Sequence, residues 1–271
     1  MRLYLLLLAG SLTAGLVVPR SEGMKDPGPL LNKALYEKIF PHHHPLYTYE
    51  AFIAAAASFP LFAADGDPSL RKRELAAFFA HIAHETSNGG PGSKGGPYAW
   101  GLYYTEEQAC RDGHCKRYNT GGTGPYRPVA GKSYFGRGPL QLTYAYNYGL
   151  AGEELGLPLL AQPELVSRDG VIAFRTALWF WMRAQRPKPS CHEVISGIWR
   201  PTAGDLQLHR KPGFGMTIDI INGGLECNDP NSTSARQQRE ERIGFYRYFA
   251  ALLQTTIGDN CDCADMAAYP F

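Results

Sequence analysis

Two acidic stretches in this chain are placed for chemistry. In AHETSNGG (Ala83 to Gly90) a glutamate, Glu85, stands where an apolar helix is about to stop, and further on TEEQ (Thr105 to Gln108) adds Glu106 and Glu107 within the aromatic, glycine-rich loop YAWGLYYTEEQ. Glu85 is three residues after Ile82 and seven after Phe78, which turns it onto the buried stripe of its helix. Burial and the negative end of the helix dipole both disfavour its charged form, and a carboxyl that keeps its proton is what a general acid needs. A loop carboxylate open to water suits a base. Two carboxyls in different surroundings on one cleft meet the requirement for glycoside hydrolysis; a separation of roughly 6.5–9.5 Å leaves room for a water and gives inversion, whereas about 5–5.5 Å gives retention. Trp100, with Tyr98, Tyr103 and Tyr104, is a candidate for stacking on sugar rings.

The elements that must position these groups follow from periodicity. Residues 48–59 read as an Ala-rich helix capped by Thr48. Asp67-Pro68 reads as an N-cap with proline at the first helical position, opening the helix that carries Leu75, Phe78, Phe79, Ile82 and Glu85 and that Asn88-Gly89-Gly90 ends. Helices are expected over 163–182, 216–222 and about 233–254, the last with Ile243, Tyr246, Ala250 and Leu253 on one stripe. Residues 89–138 are irregular and glycine-dense, and loops of that length in a compact domain are usually functional. The fold expected is one mainly α domain around a cleft.

The 271 residues suit a single large domain, and 44% hydrophobic with 19% charged residues is ordinary for a globular chain. A net charge of +2 without a basic stripe gives no footprint for nucleic acid. Residues 1–23 read as a secretory signal, with Arg2 ahead of the apolar LYLLLLAGSLTAGLVV, leaving 24–271 as the mature, extracellular domain. Its even set of cysteines, Cys110, Cys115, Cys191, Cys227, Cys261 and Cys263, then argues for disulfides. Cys110 and Cys115 are spaced to close a small loop, and the other four to make two bridges holding the C-terminal tail. CRDGHC with His114 resembles half of a zinc site but has no matching pair, and His42–His44 between two prolines read as a solvated turn, so no metal or cofactor is expected. AGKS (Ala130 to Ser133) lacks the first glycine of a phosphate loop, because that position is Tyr126. Asn231-Ser232-Thr233 is a glycosylation acceptor.

Seven blocks in one order, KRELAAFFAHIAHETS, GPYAWGLYYTEEQ, YFGRGPLQLTYAYNYG, ALWFWM, PKPSCHEVI, PGFGMTIDIINGGLEC and ERIGFYRYF, resemble the chitinases of glycoside hydrolase family 19 over residues 32–263. The resemblance implies a lysozyme-like, two-lobed helical fold and inverting cleavage of β-1,4-linked N-acetylglucosamine chains by a secreted monomer. It implies Glu85 as general acid and Glu107, rather than Glu106, as general base. Thr143 takes the place of a serine that helps hold the attacking water. Gln141, Tyr146, Asn147, Lys188 and Asn222 match sugar-binding positions. Glu226 and Arg242 match an ion-pair network beside the acid, to which His84 is also assigned; an adjacent cation there opposes the effect of burial on Glu85. Cysteines that often brace the loop of the base in plant members are missing here, and Cys110–Cys115 is expected to replace that tether. No cysteine lies between the leader and Asn32, so a cysteine-rich chitin-binding module is not expected.

Overall fold

The computed structural model describes residues 30–110, Cys115, Tyr118 and residues 124–269. The expected signal over residues 1–23 and His114 of the CRDGHC motif lie outside the described residues. Among these residues the chain forms α-helices and short turns, with isolated bridges such as Glu106 to Arg137 and no strands.

Three helices come first: α1 (Lys33–Ile39), α2 (Tyr49–Ala56) and α3 (Pro68–Thr86). Each starts where a side chain satisfies the free N–H groups of its first turn. Thr48 caps α2 through Ala51 N at 3.1 Å, and Asp67 caps α3 through Ser69 N and Leu70 N at 2.7 and 2.9 Å, with Pro68 at the first position. The α3 cap falls where the sequence puts it; α2 stops at Ala56, short of the expected residue 59. α3 is buried on nearly every side through its middle, from Glu74 to Ala83, so it is the central post and not an amphipathic surface helix.

Next come α4 (Ala145–Leu155), α5 (Gly170–Met182), α6 (Cys191–Ile195) and α7 (Ala203–Gln207). The continuous helix expected over 163–182 is broken. Pro163–Ser167 makes a tight 3₁₀ turn, and Asp169 restarts the helix by accepting from Ile172 N at 2.9 Å. Last are α8 (Phe214–Glu226) and α9 (Thr233–Leu252). α8 runs beyond the expected 216–222 and is kinked at Asn222, where φ and ψ are −145° and 28°.

Two hydrophobic bodies result. The larger gathers aromatic rings of α1, α2, α3, α5, α8 and α9, and the smaller packs Tyr134, Leu142, Tyr148, Leu159 and Trp179 around α4. α5 is the shared wall: Phe174, Leu178 and Trp181 enter the first and Trp179 the second. The two lobes face each other across a cleft.

The disulfides are Cys110–Cys115 and Cys227–Cys263. The second ties the C-terminal segment to the end of α8, as expected of the tail. The third expected bridge does not form. Cys191 is buried at the start of α6, and Cys261 lies in the C-terminal segment with its thiol near the carbonyls of Ile257 and Gly258.

Candidate active site

The cleft has a volume of about 850 Å³. Glu85 opens onto it from the last turn of α3, and its side chain is 20% exposed. The helix ends there for two reasons. Ser87 adopts an extended conformation, with φ −68° and ψ 144°, so the stop is not the left-handed glycine cap suggested by Asn88-Gly89-Gly90. Thr86 then captures the returning chain: its hydroxyl accepts from Leu102 N at 2.8 Å, and its carbonyl accepts from Tyr103 N and Tyr104 N at 3.1 and 3.0 Å. One residue after Glu85, the helix end is thus fastened to the loop that carries Glu107.

Arg242 of α9 holds Glu85. Its Nη2 donates to Glu85 Oε1 at 2.5 Å and to Glu226 Oε1 at 2.7 Å, while its Nε donates to Glu226 Oε2 at 2.9 Å. Nη1 donates to His81 Nδ1 at 3.1 Å. His81 Nε2 therefore carries the proton and donates to Thr217 Oγ1 at 2.8 Å, and that hydroxyl donates to the Phe214 carbonyl at 2.6 Å. Burial, and then the charge of Arg242, hold the His81 imidazole well below its usual range, consistent with this neutral form. For Glu226 burial works against ionisation, but the charge and donors of Arg242, with the Asn222 amide at 2.8 Å, outweigh it and hold the carboxyl below the ordinary range. Arg242 and Glu226 are each only 1% exposed. Taking a guanidinium out of water costs several kcal/mol unless its donors are satisfied, and here the planar fork meets two carboxylates and an imidazole at once. Arg239, three residues before it, is also buried and pairs with the Glu226 carbonyl and with Asp262.

Glu107 is held on the other side of the chain's long loop. Its backbone N donates to Gly136 O at 2.8 Å, and the Tyr118 hydroxyl donates to its Oε1 at 3.0 Å. Tyr118 lines the cleft. Glu106 instead faces Arg137, with Oε2 3.8 Å from the guanidinium Nε. Thr143 also lines the cleft, and its hydroxyl proton is committed to the Gln141 carbonyl at 2.6 Å. Its lone pairs are thus the part able to accept a hydrogen bond from a water. Gly136 joins these groups. A Cβ there would lie 2.8 Å from Gln141 Oε1, 3.2 Å from Gln141 Cβ and 3.3 Å from Thr143 Oγ1, so a larger residue would push on the Gln141 and Thr143 side chains.

Gln141, Tyr146, Asn147, Lys188 and Asn222 all line the same cleft. Asn147 Nδ2 donates to Thr143 O at 2.9 Å, and Lys188 Nζ donates to Ile220 O at 3.2 Å. Burial pulls the Lys188 ammonium below its usual range, with Asp219 opposing. Asn222 sits at the kink of α8 and reaches both the cleft and Glu226.

Glu107, the expected base, is not among the residues that line the cleft, although its partner Tyr118 is. Trp100 is not among the residues lining the cleft: its ring stacks on His42 at 4.1 Å, and its indole N–H donates to Lys94 O. His84 lies beside the network: its Nδ1 is 3.4 Å from Glu241 on α9, and it acts electrostatically on Glu226 and His81. His81, which bonds to Arg242 directly, is a member that sequence reasoning missed although it stands one helical turn before Glu85, the spacing that puts two side chains on one face. Tyr118 had no comparable signal, since it lies in the loop that departs from the recognised blocks. Asn231 is exposed at the turn before α9, as a glycosylation acceptor requires.

A family model described as chitinase class I, glycoside hydrolase family 19, matches residues 36–263. An acidic endochitinase, WIN6, of Populus trichocarpa is 52% identical over 217 residues, which cover 80% of this chain and 61% of that protein. An inactive chitinase-like protein of Hevea brasiliensis is 44% identical over 256 residues, covering 92% of this chain and 78% of that one. The crystal structure of chitinase C from Streptomyces griseus superposes with a TM-score of 0.69 at 35% identity, covering 86% of this chain and 80% of that one. The chain belongs to glycoside hydrolase family 19, the class I chitinases.

Proposed function

We propose that the protein is a secreted, monomeric endochitinase that hydrolyses β-1,4 N-acetylglucosamine linkages with inversion. The observation that carries this reading is the Glu85 carboxyl, fixed at the edge of the cleft by the buried fork of Arg242. In the proposed reaction Glu85 gives its proton to the glycosidic oxygen as the bond from that oxygen to the anomeric carbon breaks. Glu107 takes a proton from a water that accepts orientation from Thr143 and attacks the anomeric carbon from the opposite face. Gln141, Tyr146, Asn147, Lys188 and Asn222 bind the chitin chain or its oligosaccharides along the cleft. No helix among the described residues is long and apolar enough to cross a membrane.

Glu85→Gln tests this directly. Loss of an acid catalyst removes roughly 10²–10⁴-fold in rate, so turnover of chitin oligosaccharides should fall by at least that lower figure while circular dichroism stays parental. Near-parental turnover sinks the assignment of Glu85. Proton NMR of the parent's first product should show the α-anomer, and an initial β-anomer refutes inversion.

A second reading, a chitin-binding protein without turnover, is favoured by the inactive Hevea relative at 44% identity. It predicts that oligosaccharides bind but no new reducing ends appear. The presence of Glu85, Glu107 and Thr143 together favours the enzyme.

A further inference from the structure

Tyr146 lines the cleft from the first turn of α4, yet it is 53% exposed. The core therefore does little to choose among its rotamers. An aromatic contact does so instead: the ring of Tyr126 meets it edge to face, with centroids 5.7 Å apart and planes at 67°. Tyr126 is not among the residues that line the cleft. It comes from the stretch GPYRPVAGK (Gly124 to Lys132), between two of the recognised blocks, whereas Tyr146 lies within one.

Tyr126 is itself held by α4. Gly149, three residues after Tyr146, carries its ring: a Cβ there would lie 2.5 Å from Tyr126 Cγ and Cδ1 and 2.6 Å from its Cβ, so the side chain rests directly on the helix backbone. The Tyr126 hydroxyl donates to Glu153 Oε2, four residues further on. Tyr146, Gly149 and Glu153 thus follow one face of α4 at helical spacing, and the Tyr126 side chain spans them. The bond to Glu153, and then partial burial, push the phenol up to about 12 from an ordinary 10.0, so it keeps its proton at neutral pH. The segment is tied down behind it, where Val129 N donates to the Tyr134 hydroxyl at 3.0 Å and that hydroxyl donates to Leu160 O at 2.6 Å.

We propose that Tyr126 is a positioning residue for substrate binding: its ring sets the rotamer in which Tyr146 is presented to the chitin chain. The inference rests on the reading of Tyr146 as a sugar contact. A side chain that becomes ordered only as the ligand arrives weakens binding by the rotational freedom it loses, and one braced beforehand does not. The edge-to-face contact fixes the tilt of the Tyr146 ring as well as its place, because the positive edge of one ring seeks the negative face of the other. Tyr126 acts from behind the cleft wall, through Tyr146, and takes no part in the proton transfers.

The test measures binding of a chitin hexasaccharide by isothermal titration calorimetry to the full mature chain carrying Glu85→Gln, so that turnover does not intervene. Tyr126→Ala should raise Kd roughly 2- to 12-fold, the scale of one aromatic pair, with circular dichroism near parental. Gly149→Ala, whose added methyl displaces the same ring, should weaken binding in the same direction. Tyr126→Phe keeps the ring on its glycine seat and should lose less than Tyr126→Ala. With Tyr146→Ala already in place, Tyr126→Ala should change Kd less than about 1.5-fold, because the two act as one unit. An unchanged Kd for Tyr126→Ala overturns the proposal, and so does an equal loss with and without the Tyr146 ring. An unchanged Kd for Tyr146→Ala alone has a different meaning: it removes the sugar-contact reading on which the inference stands.

Discussion

Glu85 and Glu107 belong to one proposed reaction but are supported by different kinds of matter. Glu85 ends a 19-residue helix buried through its middle, and the residues that hold it come from α9, α8 and α3 through a charged network sealed from water. Glu107 sits in a loop, and its support includes a nearby disulfide, a backbone bond to Gly136 and the Tyr118 phenol. The difference teaches where rigidity comes from. A packed helical lobe can afford a desolvated ion network because the surrounding helices over-determine its geometry. A loop with little core of its own needs covalent closure and directional hydrogen bonds.

The sharpest way to break this contrast is Arg242→Ala. It leaves Glu226, 1% exposed, as a buried carboxylate without its cation, and stability should fall by about 3–5 kcal/mol, read as a shifted urea midpoint with unchanged slope. A loss below about 1 kcal/mol, the scale of a surface pair, means that the network is not structural.

A second experiment asks whether the helical lobe also sets the pH response. Asp219 of α8 is fully buried, 3.8 Å from Arg210 Nε, and burial pushes its carboxyl up to about 6 from an ordinary 3.8, with Arg210 opposing. The folded state thus prefers the protonated acid. Its contribution is complete below about pH 4 and is lost as pH rises through 6. Asp219→Asn has nothing to ionise, so its stability relative to the parent should improve between pH 4 and pH 7, by up to about 3 kcal/mol. The same difference at both pH values sinks this expectation.

The loop side is probed by replacing Cys110 and Cys115 together with serine. The closed loop is short, with a sequence separation of 5, so the cross-link should contribute at most about 2 kcal/mol to global stability. Activity should fall further than that loss explains, because the loop of Glu107 loosens. Full kcat with a lowered melting temperature would show that the bridge braces the fold and not the carboxylate.

Much of the helical frame was legible because its signals are local. The Asp67-Pro68 start, the inward face of α3 and the stripe of α9 follow from caps and from spacing along a few turns. The break before Asp169 was not legible: ALWFWM continues the apolar run of its helix, and the restart depends on one side chain turning back to Ile172 N. His81 was overlooked as a member of the acid's network for a related reason. His84 is Glu85's neighbour in sequence, but successive residues on a helix point in different directions, and His81, one turn earlier, is the one that faces Arg242.

By itself, the sequence determined a helical chain with a carboxyl at the inner end of a buried stripe, and its collinear blocks determined the family. Only the tertiary structure decided which charges are buried. Arg242 reads along its own helix as a surface cation, yet it meets Glu85 from 157 residues away. It likewise decided that Tyr118, rather than a cysteine, reaches Glu107, and that Trp100 turns from the cleft to His42. The physical reason is that caps and periodicity act over neighbouring residues, whereas the desolvation, pairing and orientation of a charge depend on every element packed around it.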